Sequence, residues 1–262
     1  MAELANITLE VKDHLAKITL NRPRYLNAID RQTLTDLDNA CAEIEENREI
    51  RAVIVSGAGR AFCAGADLAY VKGILTEAGG FEGFLRYWHR VFNRIDDLPV
   101  PTIAAVHGYA FAGGLELSLC CDMRVLADNA TIGDQHTNYG LIPGGGNTQR
   151  LPRLIGSSRA KEVILTGAWL TPAEAERIGL VNQVVPATEL MGAAEALAAK
   201  LVNKSPLTAR VIKGLVNKGL QVDLRSGLEM ELLAAVHGMM SEDVAEGLQA
   251  FAEKRQPEFK GR

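Results

Sequence analysis

The stretch Ala52-Val-Ile-Val-Ser56, closed by Gly57, is a continuous run of mostly apolar residues that ends in a glycine. Such a run is typical of a strand buried on both faces of a parallel sheet. A glycine-containing turn at residues 60–67 follows it, and a helix is predicted to begin near Asp67. Thr102-Ile-Ala-Ala-Val106 repeats the pattern and predicts a second buried strand.

The segments on either side extend this alternation. Residues 6–20 alternate apolar and polar side chains around a short polar turn, which predicts a hairpin. Asp30 precedes apolar residues spaced three and four apart, so it is a candidate N-cap of an amphipathic helix. Residues 123–127 and 180–185 predict further strands. Strands that alternate with helices indicate an α/β fold with crossover connections.

The last quarter of the chain has a different character. It is rich in Ala and Leu at helical spacing, which predicts helices at residues 188–203, 206–220, 223–240 and 242–254. No Gly/Ser-rich linker precedes this part. We therefore expect a core at residues 1–186 and a helical region at residues 187–262 that belongs to the same fold.

The composition is that of an ordinary globular protein. The 262 residues are 47% hydrophobic and 23% charged, which excludes a disordered or collagen-like chain. A formal net charge of −4 argues against a nucleic-acid partner, because phosphate neutralisation is the main source of affinity in such proteins. The N-terminus lacks the features of a signal peptide, and no apolar run approaches the ~18 residues that span a bilayer. We expect a cytoplasmic protein with no membrane partner.

Several common catalytic motifs are absent. The four cysteines lack C-x-x-C spacing, so neither a zinc site nor a disulfide framework is indicated. The turn from Gly57 carries Phe62 where a dinucleotide fingerprint needs its third glycine, and residues 140–146 lack the Lys-Ser/Thr of a P-loop. The sequence has no nucleophile elbow and no H-E-x-x-H pair. These gaps disfavour hydride transfer, NTP hydrolysis, serine hydrolase and zinc protease chemistry.

Two glycine-containing turns each lead into a predicted helix. Residues 60–67 form the first, and residues 107–117 form the second, with Gly113-Gly114 at the helix start. A helix N-terminus presents free backbone N–H groups, and small residues let a ligand oxygen approach them. If the two turns meet, their N–H groups would converge as the donors of an oxyanion hole do.

Polar residues in apolar surroundings mark the third candidate region. Glu116 lies among leucines and cysteines, where a carboxylate is either a buried structural acceptor or an acid/base with a raised pKa. Residues 133–146 contribute Asp134, His136 and Tyr139, although a polar surface loop would explain any one of them.

The sequence resembles the crotonase superfamily, the enoyl-CoA hydratase/isomerase family. Six segments carry the resemblance in the order of the family: residues 20–28, 61–68, 108–122, 142–151, 179–182 and 251–255. The resemblance implies a spiral of repeated ββα units with a helical C-terminal trimerisation region, and thus a homotrimer or homohexamer. It also implies an acyl-CoA thioester substrate, with coenzyme A as part of that substrate and no separate cofactor or metal.

The resemblance also implies roles for particular residues. The backbone N–H groups of Ala66 and Gly113 would hold the thioester oxygen, and Glu116 would be the principal acid/base. The residues expected to contact coenzyme A are Arg24, Leu26, Ala64, Asp67, Leu68 and Lys254. For Lys254 a solvated helix-end lysine is an equally good interpretation.

The sequence departs from the family at one catalytic position. Hydratases of this family have a second glutamate four residues before the glycine that is Gly140 here, and that position is His136. Imidazole, with an ordinary pKa of ~6.5, keeps a proton-transfer group near neutrality but changes the charge of the site. Asp134 would share the face of His136 in an extended strand, and we rank His136 above it.

We therefore expect an enoyl-CoA hydratase with Glu116 and His136 as its proton-transfer groups. The alternatives are an enoyl-CoA isomerase, a CoA-thioester decarboxylase or hydrolase, and an acyl-CoA-binding scaffold without turnover. The presence of Glu116 argues against the scaffold.

Overall fold

The protein, described here by a computed structural model over residues 4–262, contains nine strands and eleven α-helices. The strands are β1 (Ile7–Lys12), β2 (Leu15–Leu20), β3 (Ala52–Gly57), β4 (Thr102–Val106), β5 (Tyr109–Phe111), β6 (Met123–Ala127), β7 (Thr131–Gly133), β8 (Trp169–Leu170) and β9 (Gln183–Val185). The helices are α1 (Arg31–Glu46), α2 (Leu68–Ile74), α3 (Gly80–Asp96), α4 (Gly113–Leu119), α5 (Asn147–Ile155), α6 (Ser157–Thr166), α7 (Pro172–Arg177), α8 (Leu190–Val202), α9 (Pro206–Gly219), α10 (Leu224–Gly238) and α11 (Glu242–Glu253).

A six-stranded sheet with the order β1-β2-β3-β4-β6-β9 forms the centre of the molecule. Only the hairpin β1–β2 is antiparallel, and each later strand pairs in parallel with its neighbour. All five residues of β4 and the first five of β3 are buried, as their continuous apolar sequences predict. The α/β class and the hairpin at residues 6–20 are thereby confirmed.

A smaller sheet with the order β5-β7-β8 lies beside the large one. The chain runs from β4 through β5 into α4, and from β6 through β7 to α5, so two successive turns have the order strand, strand, helix. One β-bridge joins Cys63, in the segment after β3, to Ala110 of β5, so this segment also lies beside the small sheet. The repeated ββα unit brings the start of each following helix to the same side of the molecule.

The helices follow the start signals in the sequence. Asp30 caps α1, since its carboxylate accepts a hydrogen bond from the N–H of Thr33. Asp67 caps α2 in the same way, through the N–H groups of Ala69 and Tyr70. Each of the four C-terminal helices begins and ends within about two residues of its predicted bounds, which is ordinary uncertainty for helix ends. None of the helices in residues 4–262 is long and apolar enough to cross a membrane.

One predicted strand is shorter than expected. Residues 180–185 were predicted to be extended throughout, but β9 contains only residues 183–185. Leu180 instead donates its N–H to the carbonyl of Ala175 at the end of α7. The buried guanidinium of Arg124 binds the carbonyl of Leu180 at 2.7 Å, so the start of this segment is held as a turn.

Candidate active site

Glu116 lies in the first turn of α4, a helix in which every residue is buried. Its side chain is asymmetrically held: Oε1 accepts hydrogen bonds from the N–H of Gly145 at 2.8 Å and of Asn147 at 3.2 Å. No group within residues 4–262 donates a hydrogen bond to Oε2. The carboxylate is thus fixed in place through one oxygen, and the other oxygen is available to a ligand.

The surroundings of Glu116 favour its protonated form. Burial raises the pKa of this carboxyl group above its ordinary value of 4.5. The positive charge of His136 and the N–H groups of Asn147 and Gly145 act in the opposite direction without cancelling the effect of burial. A carboxyl group of this kind can take up and release a proton nearer neutrality than an exposed glutamate, as acid/base catalysis requires.

His136 and Asp134 form a hydrogen-bonded pair where β7 ends. The Asp134 carboxylate accepts hydrogen bonds from the N–H of His136 at 2.8 Å and from its Nδ1 at 3.0 Å, both through Oδ1. Asp134 is fully buried, whereas the His136 side chain is 15% exposed. The two residues do not lie on one extended strand, because β7 ends at Gly133 and a 3₁₀ turn begins at His136.

The pair also changes the acidity of the imidazole. Burial of the ring is the largest single influence and lowers its pKa, but the hydrogen bond and charge of Asp134, together with the charge of Glu116, outweigh it. The pKa of His136 therefore lies above its ordinary value of 6.5. His136 therefore keeps its proton to a higher pH than an ordinary histidine does, and its ring can donate that proton.

Asn147 joins these two parts of the site, and the sequence did not single it out. Its backbone N–H binds Glu116, and its side-chain Nδ2 donates to Asp134 Oδ2. Asn147 is fully buried at the first position of α5. In the sequence, an asparagine after Gly146 indicates only the start of a helix. No nearby residue indicates that it donates hydrogen bonds to Glu116 and Asp134.

The two glycine-containing turns do meet. A Cβ atom added to Gly65 would lie 3.3 Å from the backbone N of Gly113, so the two loops are in van der Waals contact. Ile29 and Ala66 form a parallel β-bridge, whose hydrogen bonds are donated by the N–H groups of Ile29 and Asp67. The N–H of Ala66 takes no part in this bridge. The N–H of Gly113 begins α4 and has no intrahelical acceptor. The two loops therefore meet, and each contributes a backbone N–H group near the contact, while the convergence of these groups on one ligand oxygen stays a prediction.

Trp88 of α3 is a further residue that the sequence did not indicate. It is 2% exposed, and its Nε1 has no hydrogen-bond partner within residues 4–262. A Cβ atom added to Gly145 would overlap both Trp88 Nε1 and Glu116 Oε2, so these two free atoms border the same small space. A buried donor without an acceptor is costly, and an oxygen atom of a water or substrate in this space would satisfy it.

The loops expected to contact coenzyme A are joined to each other. Leu26, with a left-handed backbone (φ 51°), accepts a hydrogen bond from the N–H of Ala64 at 3.0 Å. Arg22 reaches across to the carboxylates of Asp67 and Asp30, each at 3.1 Å. Arg24 is exposed in the 3₁₀ turn between these contacts. The segment at residues 22–30 is thereby fixed against the segment at residues 64–68.

The remaining predicted contact residues differ in their setting. Burial acts to raise the pKa of Asp67, but its hydrogen bonds to Tyr70, Arg22 and Ala69 prevail and lower it. Leu68 is 61% exposed beside it. Lys254 ends α11 with a left-handed backbone, and within residues 4–262 no hydrogen bond or ion pair joins it to either loop. The structure thus places the segments at residues 22–30 and 64–68 against each other, and Gly65 against Gly113, whereas no contact of this kind joins Lys254 to them within the described residues.

Comparison with known proteins agrees with this arrangement. The family model for enoyl-CoA hydratase/isomerase matches residues 10–262. This chain belongs to the enoyl-CoA hydratase/isomerase family. Its sequence is 41% identical over 262 residues to a short-chain-enoyl-CoA hydratase of Clostridium acetobutylicum, covering 99% of this chain and 100% of that protein. It is 37% identical over 255 residues to a crotonyl-CoA hydratase of Syntrophomonas wolfei, with 97% of each covered.

Solved structures of the family share the fold. A crystal structure of an enoyl-CoA hydratase from Bacillus anthracis superposes with a TM-score of 0.95 at 42% identity, covering 98% of this chain and 100% of that one. The chain therefore has the crotonase fold, and the ββα order described above is its repeating unit. The predicted family and fold class are confirmed.

Proposed function

We propose that this member of the enoyl-CoA hydratase/isomerase family is an enoyl-CoA hydratase that adds water to a 2-enoyl-CoA thioester. One observation carries the proposal: Glu116 is fixed through Oε1, and no described residue donates a hydrogen bond to its Oε2. The similarity to proteins named as short-chain-enoyl-CoA and crotonyl-CoA hydratases supports the same reaction.

The thioester carbonyl would be held at the meeting point of the two glycine-containing turns. There the N–H groups of Ala66 and Gly113 would donate to its oxygen as that oxygen becomes an enolate, which stabilises the charge where it develops. We propose that coenzyme A lies along the joined loops. The proposed contact residues are Arg24, Leu26, Ala64, Asp67, Leu68 and, from α11, Lys254.

Two proton transfers complete the addition. Glu116 Oε2 takes a proton from water while the water oxygen bonds to C3 of the enoyl group, and the C2–C3 π electrons move toward the thioester oxygen. His136 then gives a proton to C2 as the enolate collapses. The sum is one water added, with one proton taken by Glu116 and one lost by His136, and exchange between the two groups restores the starting state.

The wider context of the enzyme is also a proposal. The exposed faces of α9 and α10 carry a row of apolar residues, which supports assembly into a homotrimer or homohexamer. These residues are Ile212, Val216, Leu220, Leu224, Leu228, Leu232, Leu233 and Val236. A cytoplasmic location stays a prediction. The same holds for the absence of any cofactor other than the coenzyme A of the substrate.

The test is incubation of the purified protein with crotonyl-CoA in ¹⁸O-labelled water, with the enoyl absorbance and the product mass followed together. We expect the absorbance to fall and the thioester to gain one labelled water without release of free coenzyme A. Rearranged double bonds without water, or free coenzyme A or CO₂ from suitable thioesters, would assign an isomerase, hydrolase or decarboxylase instead. Binding without any turnover would indicate a scaffold.

A further inference from the structure

The side chain of Asn147 and the carboxylate of Asp134 have no part in the proton transfers proposed above, yet both are completely buried within the site. Asp134 accepts hydrogen bonds on both oxygens: from His136 on Oδ1 and from Asn147 Nδ2 on Oδ2. The backbone N–H of His136 and the amide Nδ2 of Asn147 can only donate, so each oxygen of Asp134 accepts at least one hydrogen bond.

The contact with Asp134 bears on which ring nitrogen of His136 carries a proton. Nδ1 lies 3.0 Å from Asp134 Oδ1, an acceptor already bound by the backbone N–H of His136, and we assign the hydrogen of this contact to Nδ1. In the neutral ring Nε2 is then the basic nitrogen, and in the charged ring Nε2 carries the transferable proton. Since Asp134 is buried and already bonded on both oxygens, it cannot itself touch a substrate.

We propose that Asn147 is a positioning residue that holds Asp134 so that His136 presents Nε2 to the substrate, with its position fixed relative to Glu116. The inference rests on the proposed hydratase reaction and adds to it the group that orients the second proton donor. The contacts form one connected series: Glu116 Oε1 to the backbone N–H of Asn147, Asn147 Nδ2 to Asp134, and Asp134 to His136.

The geometry makes the role of the Asn147 side chain separable from that of its backbone. Glu116 is bound by the N–H of residue 147, and every residue except proline provides that group. A substitution at position 147 therefore removes the bond to Asp134 and keeps the bond to Glu116. Because position 147 begins α5, both Ala and Leu are compatible with the local backbone.

The experiment compares Asn147→Ala and Asn147→Leu with Thr148→Ala, an exposed neighbour in the same helix turn. Loss of a hydrogen bond to a charged group is worth about tenfold, so we expect kcat to fall by about that factor in both Asn147 variants with KM little changed. Thr148→Ala should behave as wild type. Leu is larger than Asn and leaves no cavity, so a defect shared with Ala is not caused by a cavity.

The pH dependence of kcat is the readout that packing alone would not move. The charged groups acting on the His136 ring are Asp134 in the same loop and Glu116 on α4. With Asp134 no longer held, its bond to Nδ1 weakens while burial of the ring persists, so the pKa of His136 falls. The basic limb of the profile, which reports loss of protonated His136, should therefore move to lower pH. An unchanged limb in variants with reduced kcat would overturn the proposal.

Nitrogen-15 NMR of the histidine rings separates this inference from the proposed reaction, since it needs no turnover. In the wild-type protein above its pKa, His136 should show a protonated Nδ1 and an unprotonated Nε2. The Asn147 variants should show a mixture of tautomers and a lower pKa. A neutral wild-type ring protonated on Nε2 would overturn the role given to Asp134 and Asn147, even if hydration of crotonyl-CoA is observed. A normal tautomer with no hydration would instead count against the hydratase alone.

Discussion

Replacement of Glu116 by Gln tests the carboxylate on which the proposed reaction depends. Oε1 of the wild-type residue accepts from two backbone N–H groups, and the amide oxygen of Gln accepts the same two bonds. The amide NH₂ then occupies the place of Oε2, where no described residue donates a hydrogen bond. The variant therefore keeps the shape and the anchoring of the side chain and loses only its ability to take a proton.

The expected loss of activity follows from that single change. A positioned acid/base contributes about a hundredfold to ten-thousandfold, so kcat for crotonyl-CoA hydration should fall by about a thousandfold. The dissociation constant for a CoA thioester, measured by calorimetry, should change less than about threefold, because no contact area is removed. Glu10→Gln, an exposed position on β1, is the matched control. Turnover within about tenfold of wild type would refute the assignment of Glu116.

Stability should change in the opposite direction to activity. Folding raises the pKa of Glu116 above 4.5, so the ionised form is less stable in the folded protein than in the unfolded chain. This destabilisation is absent below about 4.5, where both states are protonated, and is complete above the folded pKa. Tm of Glu116→Gln should therefore exceed that of wild type at neutral pH, and the difference should disappear as the pH approaches 4.5. A variant less stable than wild type at neutral pH would contradict the raised pKa.

Three further substitutions test the surroundings of the site. Gly145→Ala places a methyl group on Glu116 Oε2 and Trp88 Nε1, so kcat should fall by about tenfold or more and Tm should also fall; unchanged kinetics would mean that this space is not used. Gly114→Ala drives a methyl group into the carbonyl oxygen of Cys63, and the free energy of unfolding in urea should fall by about 2 kcal/mol. Arg22→Leu removes the guanidinium that ties the two CoA loops together, so KM for crotonyl-CoA should rise with a smaller change in kcat. A purely kcat effect would argue against that role.

The sequence predicted those parts of the fold that depend on local pattern. Continuous apolar runs identified β3 and β4, and Asp30 marked the start of α1. The approach of Ala66 to Gly113 could be expected only as a possibility, because the distance between two loops depends on how their strands pair. The bridge between Cys63 and Ala110, which brings those loops together, has no local signal.

The residues that surround Glu116 illustrate the limit of sequence reasoning most clearly. Trp88 lies among the buried residues of the amphipathic helix α3. A tryptophan at such a position gives no local sign that its Nε1 finds no partner among the described residues. The sequence ranked His136 above Asp134 without showing how the two are arranged, and the end of β7 turns the aspartate back onto the histidine. Such a contact depends on two or three backbone angles, which residue patterns do not determine.

The replacement of a second carboxylate by imidazole has a consequence for how the site is charged. Two neighbouring glutamates could not both be ionised without repulsion, so one of them would have to stay protonated. Here the oppositely charged forms of Glu116 and His136 attract each other. Two N–H groups donate hydrogen bonds to Glu116 Oε1, and Asp134 contacts His136 Nδ1. Burial opposes the charged form of each group, and these contacts act against it. The proposed reaction starts from ionised Glu116 as the base and protonated His136 as the acid, which is the assignment that water addition to C3 and protonation at C2 require.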